Sequence, residues 1–200
     1  MIKLTYYGHS CIILENKGYA VAVDPYDEKT GYGELKIKAN AVYCSHEHGD
    51  HAYVQAVEIL EGGEKPFSVE EFIVPHDHEE GHKRGLNKIR IFEADGIKIA
   101  HFGDTGCMPD DCILERLKGV DVALIPVGGF FTIDAAEAKA ICDIIKPATI
   151  IPMHYFTGTK GIPRIAQVSE FTEKFENVNY TDSCTIEIDG SAKGIVVLTA

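Results

Sequence analysis

Residues 46–51 read His-Glu-His-Gly-Asp-His, three histidines and an aspartate within six positions, directly after the short run Ala41-Val42-Tyr43-Cys44-Ser45. A β-branched and aromatic run of that kind predicts a buried strand, so the cluster H-x-H-x-D-H sits on the loop at a strand's end. Imidazole and carboxylate are the ligands that suit zinc and its neighbours in the first transition row. In an extended chain the side chains at 46 and 48 point to the same side and can grip one cation. A turn after them swings Asp50 and His51 towards a second. An aspartate capping a helix, with solvent histidines around it, would leave this density of ligands unexplained. Six of the nine histidines lie between His46 and His82, so the concentration extends beyond the motif.

The segments before the motif, IKLTYYG, SCIILEN and YAVAVD, are rich in β-branched and aromatic residues, and Asn16-Lys17-Gly18 marks a turn between the last two. They predict a strand meander closed by Asp24-Pro25. Residues 26–39 have no clear period and read as a loop. Residues 53–60 carry apolar positions at helical spacing before Gly62-Gly63, which predicts a helix. EEFIVP, NKIRIFEA and IKIAHFGD predict strands, with HDHEEGHKRG as a polar loop after the first and Asp95-Gly96 as a tight turn before the last. Helices are then expected in DDCILERLKG, DAAEAKAICDIIK and PRIAQVSEFTEKF, alternating with strands in VDVALIPVG and ATIIPMH and followed by CTIEID and GIVVLT. Strands dominate both ends, so two sheets with helices outside them are expected, in one domain spanning 1–200.

Charge narrows the partners. Nineteen Lys and Arg stand against 31 Asp and Glu, a net charge of −12, which argues against a nucleic-acid or anionic-membrane surface. No apolar run approaches the ~20 residues of a membrane span, and the opening MIKLTYYGHSC lacks a basic region followed by a long apolar stretch. A cytoplasmic protein acting on a small molecule is expected, with its oligomeric state open. The six cysteines are scattered with no CxxC pair and read mostly as small buried thiols rather than a disulfide framework.

Taken in order, the motifs resemble the metallo-β-lactamase fold superfamily, in its branch of small metal-dependent hydrolases similar to L-ascorbate 6-phosphate lactonase. Besides residues 46–51, the resemblance rests on YYGHSCIILE at 6–15, VDP at 23–25, HFGDTG at 101–106, ALIPVGGFFTID at 123–134 and IIPMHYFTG at 150–158. It implies a four-layer α/β/β/α sandwich. It also implies that His46, His48 and a later histidine bind one metal, that Asp50, His51 and His154 bind a second, and that Asp104 bridges both. Candidates for the later histidine are His76, His78, His82 and His101. The family places this ligand at the end of a strand, the position His76 has after EEFIVP. His78 and His82 then fall to the rim or to substrate contact, and His101 reads as a buried, hydrogen-bonded strand histidine. Asp24 would buttress the metal loop, His9 would line the mouth, and Cys107 keeps a structural reading.

The implied chemistry is hydrolysis of a small, anionic ester, lactone or phosphodiester by a metal-bound hydroxide, with Asp50 as the catalytic group that directs it and moves its proton. Two divalent ions are expected, Zn2+ first, with Mn2+, Fe2+ and Ni2+ suited to the same ligands. They would make a positive pocket in an acidic protein, favouring substrates that carry or develop negative charge. Two hundred residues leave no room for the extra helical domain of glyoxalase II or the large inserted domain of the RNA-cleaving nucleases. Two alternatives belong to other classes. A diiron oxygen or nitric oxide reductase on this fold would carry a glutamate where this chain has His48, and normally a flavin domain. A non-catalytic metal-dependent sensor or scaffold would keep the ligands without turnover.

Overall fold

Alternation along the first strands sorts their side chains onto two faces. In the computed structural model, which describes residues 1–200, β1 (Ile2–Gly8), β2 (Cys11–Asn16) and β3 (Tyr19–Val23) form the expected antiparallel meander. Ile2, Leu4, Tyr6, Ile12, Leu14, Val21 and Val23 point into the main core, while Cys11, Ile13, Ala20 and Ala22 point outwards into a smaller one. Next come β4 (Ile37–Ala39), β5 (Ala41–Tyr43) and β6 (Val57–Ile59). β5 joins the meander parallel to β3, whereas β4 and β6 pair with each other as a two-stranded ribbon.

Residues 53–60 are therefore not helical. A single 3-10 turn at Val54–Ala56 leads into β6, because Ala56 and Val57 bury their side chains in the outer core beside Ile37 and Ala39. The loop expected over 26–39 likewise contains a 3-10 turn at Glu28–Thr30 and the strand β4. Short apolar stretches of this kind fit either period, and pairing with a distant partner decides between them.

The second half builds the larger sheet from β7 (Ser68–Pro75), β8 (Leu86–Ala94), β9 (Ile97–His101), β10 (Val122–Pro126), β11 (Thr149–Met153) and two later strands. α1 (Asp111–Leu117) and α2 (Ala135–Ile145) lie where helices were expected. α2 starts at Asp134, whose side chain accepts from the backbone N–H of Ala136 and Glu137 while Glu137 bonds back to the N–H of Asp134. Its stripe Ala138, Ile141, Cys142 and Ile145 is buried, and a fully buried isoleucine such as Ile141 contributes about 1.5–3 kcal/mol. The helix expected over 163–175 shrinks to α3 (Ser169–Thr172), since Pro163 and the turns after it leave only one helical turn. β12 (Val178–Tyr180), absent from the sequence expectation, precedes β13 (Thr185–Ile188) and β14 (Gly194–Val197).

The strand orders are β13-β1-β2-β3-β5 and β12-β14-β11-β10-β9-β8-β7, so the two closing strands part company and join different sheets. β9, β10, β11, β14 and β12 are mutually parallel. The inner faces of both sheets share one core, giving the expected four-layer sandwich, with the thinner outer layer over the first sheet made of the β4–β6 ribbon and 3-10 turns. No helix is long and apolar enough to cross a membrane. All six cysteines are free thiols, but only Cys11 and Cys142 are fully buried, and Cys112 and Cys184 are exposed, contrary to the reading of mostly buried thiols.

Candidate metal centre

Every residue expected to bind metal follows the carboxyl end of a strand, and so do His9 and Asp24, expected at the mouth and as a buttress. His9 follows β1, Asp24 follows β3, residues 46–51 follow β5, His76 follows β7, Asp104 lies just beyond β9, and His154 follows β11. Parallel strands deliver their carboxyl ends to one edge of a sheet, where open α/β folds place their ligands. His9, Asp24 and His154 have left-handed backbones, with φ of 54°, 50° and 53°. Non-glycine residues in that region cost about 1–3 kcal/mol each and collect at functional sites. The sharp turn lets each side chain leave its strand sideways, into the gap between the sheets. The backbone N–H of His154 donates to the carbonyl of His9 at 2.8 Å, tying the two turns together.

The side chains converge in groups centred on Asp104. The ligand atoms of His46, His48 and His76 lie within 4.8 Å of one another, as do those of His9, Asp50, His51 and His154, and those of His46, His51 and Asp104. Asp104 Oδ2 is 3.4 Å from Nε2 of both His76 and His154 and 4.0 Å from His46 Nε2, and Asp104 Oδ1 is 3.1 Å from His51 Nε2. Asp50 Oδ2 lies 3.3 Å from His9 Nε2 and 3.9 Å from His51 Nε2. The residue pattern drawn from the motifs is thus brought together in full, and His76 is the histidine that completes the group of His46 and His48. His9 does not line an open mouth as expected. It is completely buried, with its ring 4.2 Å from that of His154.

Asp24, expected to buttress the metal loop, lies against Ser45 and His51. Its buried carboxylate accepts from the backbone N–H of Ser45 at 2.6 Å and from Ser45 Oγ at 2.7 Å, and it faces His51 Nδ1 at 2.8 Å. The last contact makes Nδ1 the protonated nitrogen and leaves Nε2 for a metal. Burial lowers His9 to about 4, aided by His154 and opposed by Asp50, and burial with His51 lowers His46 to about 3. Both are neutral imidazoles at neutral pH, the form that binds metal. Burial would raise Asp104, but His154 and His51 hold it well below the usual carboxylate range. His51 is raised well above its ordinary value, because Asp104 and Asp24 outweigh its burial.

Two supporting residues escaped the sequence reading. Asn87 on β8 is fully buried, accepts from the backbone N–H of Asp104 at 2.9 Å and donates to the carbonyl of Phe102 at 2.8 Å, so it fixes the bend that carries Asp104. Asp77, next to His76, accepts from the backbone N–H of Glu79, Gly81, Lys83 and Arg84. Its signal was an aspartate opening a loop with glycines at 81 and 85, the pattern of a carboxylate that folds a turn around itself. A Cβ at Gly106 would run into the backbone of His76 and Asp77, so the close approach of these loops requires glycine there. His78 and His82 stay outside the cluster. Both are exposed, and His78 Nε2 meets Glu137 at 2.7 Å. His101 is the structural histidine expected, buried with Nε2 2.9 Å from the carbonyl of Ser10. Cys107 is half-buried and belongs to none of the groups.

The residues fit divalent cations. His46 Nε2, His51 Nε2, His154 Nε2 and Asp104 Oδ1 are buried and make no well-aligned hydrogen bond, although His51 Nε2 and Asp104 Oδ1 lie 3.1 Å apart. Each such atom costs about 1–3 kcal/mol unless something binds it. Free Zn2+ at about 100 times its dissociation constant should therefore stabilise the chelator-treated protein by about 2.7 kcal/mol. That corresponds to a rise in Tm of roughly 5–10 °C for a chain of this size. Thermal melts with and without the ion check this, and an unchanged Tm would mean that the cluster binds no metal in the folded state.

Residues 3–154 match the model of the β-lactamase superfamily domain, and the chain belongs to that superfamily. Among its relatives are proteins called UPF0173 metal-dependent hydrolases. That of Thermococcus kodakarensis is 30% identical over 207 residues, covering 85% of this chain and 90% of the relative. That of Korarchaeum cryptofilum is 28% identical over 201 residues, covering 82% and 88%. Among solved structures, a Thermotoga maritima protein put forward as a zinc-dependent hydrolase of the metallo-β-lactamase superfamily superposes with a TM-score of 0.77 at 28% identity, covering 99% of this chain and 98% of that one. Igni18, a metallo hydrolase of Ignicoccus hospitalis, shares the fold with a TM-score of 0.63 at 24% identity, covering 86% of this chain and 89% of that one.

Proposed function

We propose that this protein is a metal-dependent hydrolase with two divalent ions, acting on a small anionic ester, lactone or phosphodiester. The observation that carries the reading is the convergence of two ligand groups on Asp104, with buried imidazole nitrogens left unpartnered. One ion would be held by His46, His48 and His76, the other by Asp50, His51 and His154, with Asp104 between them. When bound, such ions acidify water towards neutral pKa and polarise the bond to be cleaved. Asp50 is the carboxylate best placed to orient the attacking water and carry its proton, since it is partly open to solvent while Asp104 is buried. His9 holds Asp50 from behind, through Nε2. The ligand set suits Zn2+ and accepts Mn2+, Fe2+ or Ni2+.

The reading is tested by metal analysis of natively purified protein, followed by a turnover screen of lactones, phosphodiesters and carboxylic esters on metal-replete protein. Two ions per chain with turnover of one class is the expected result. Full occupancy with no turnover of any class would favour a metal-dependent sensor or scaffold. His154→Ala is expected to reduce the bound metal to about one ion per chain, with the circular dichroism of the fold retained. Unchanged metal content would remove His154 from the second site.

A further inference from the structure

The chain has four arginines, and they divide into two kinds. Arg90 and Arg116 pair with Glu71 and Glu70 at 2.5 and 2.8 Å. Arg84 and Arg164 make no ion pair and lie over adjacent phenylalanines, Arg84 at 4.3 Å from the ring of Phe131 and Arg164 at 5.8 Å from that of Phe130, whereas Arg90 lies over Tyr43 at 5.5 Å in addition to its ion pair. Arg84 is half-buried and lines a cavity of about 690 Å3 that it shares with His46 and His48. Stacking fixes the plane of a guanidinium while leaving the N–H donors at its edge available. The other charged groups on this cavity are Lys88, which is 3.4 Å from Glu71, and Glu47, while Ile73 and Leu86 supply an apolar wall. Its position is well anchored, because the backbone N–H of Arg84 is one of the four that bind Asp77. A single buried carboxylate thus fixes the loop that holds His76 at one end and Arg84 at the other.

We infer that Arg84 is an anion receptor for the substrate, which carries a carboxylate or phosphate separate from the bond to be cleaved, joined to it through a short apolar portion. This rests on the hydrolase reading above and deepens it. A planar fork with no ion-pair partner, in a chain with 31 acidic residues, matches the two oxygens of such a group, and Glu47 is the one acidic side chain lining the cavity that would repel it.

The experiment is calorimetric titration of the metal-loaded protein with butyrate, glutarate and 4-phosphonobutyrate, together with hydrolysis of the 4-nitrophenyl esters of butyrate and glutarate. Glutarate or 4-phosphonobutyrate is expected to bind about 10- to 100-fold more tightly than butyrate, and the larger gain identifies carboxylate or phosphate as the preferred group. Arg84→Gln should abolish that gain and leave butyrate binding and metal content unchanged, while Arg84→Lys should retain part of it. The ester pair should show the same loss in kcat/KM for the glutarate ester alone. The inference is overturned if the unmodified protein does not prefer the dianions, or if Arg84→Gln weakens butyrate as much as glutarate. Failure of every ester to turn over would count against hydrolysis, while the titration would still decide the role of Arg84.

Discussion

Replacing Asp104 by asparagine is expected to weaken metal binding by about a thousandfold and to reduce turnover at limiting metal accordingly. The carboxylate lies within 4.0 Å of Nε2 of His46, His51, His76 and His154, and it is buried. Asparagine keeps the volume and one oxygen but removes the only buried negative charge that faces both ligand groups. Removing one partner of a buried charge pair costs about 3–5 kcal/mol, which is roughly two to four powers of ten in affinity. The fold should survive, since the bond from the Asp104 backbone to Asn87 does not involve the side chain. Competition against a chromophoric chelator measures the loss. An affinity within tenfold of the unmodified protein would take Asp104 out of the site.

Asp50→Asn is expected to leave the group of His46, His48 and His76 occupied and to cut turnover by about 100-fold or more, the lower end of general acid–base effects. The side chain is 29% exposed, and His9 Nε2 lies 3.3 Å from Oδ2. The amide still fills the space but accepts no proton. Steady-state kinetics with metal counting separates loss of an ion from loss of proton transfer. A variant with both ions and near-normal turnover would leave a two-metal hydrolase without this carboxylate as its proton carrier.

The parts of this architecture that were legible in the sequence are those where local pattern and final environment agree. The β-branched and aromatic runs of β1, β2 and β3 predicted a strand meander, and the three strands pair as one. H-x-H-x-D-H was readable because few other uses account for three histidines and an aspartate in six positions. What could not be read depends on distant partners. Val57-Glu58-Ile59 becomes a strand because Ile37-Lys38-Ala39 lies beside it. Thr185–Ile188 and Gly194–Val197, close in sequence, pair with strands of different sheets. Asn87 and Asp77 carry no metal signature, and their importance comes from the backbone groups they hold.

The division of ligands between the two sheets has a consequence for how the molecule comes together. His46, His48, Asp50 and His51 hang from the first sheet, while His76, Asp104 and His154 hang from the second. Neither sheet alone carries three members of both candidate ligand groups, so on the proposed assignment an ion would be tightly held only after the sheets have docked, and would then act as a rivet across their seam. Loading should accordingly slow the parting of the sheets much more than it speeds their meeting. Hydrogen exchange at the edge where the loops gather would register the rivet first, as amides of β1 and β11 that open together in the bare protein become locked in the loaded one.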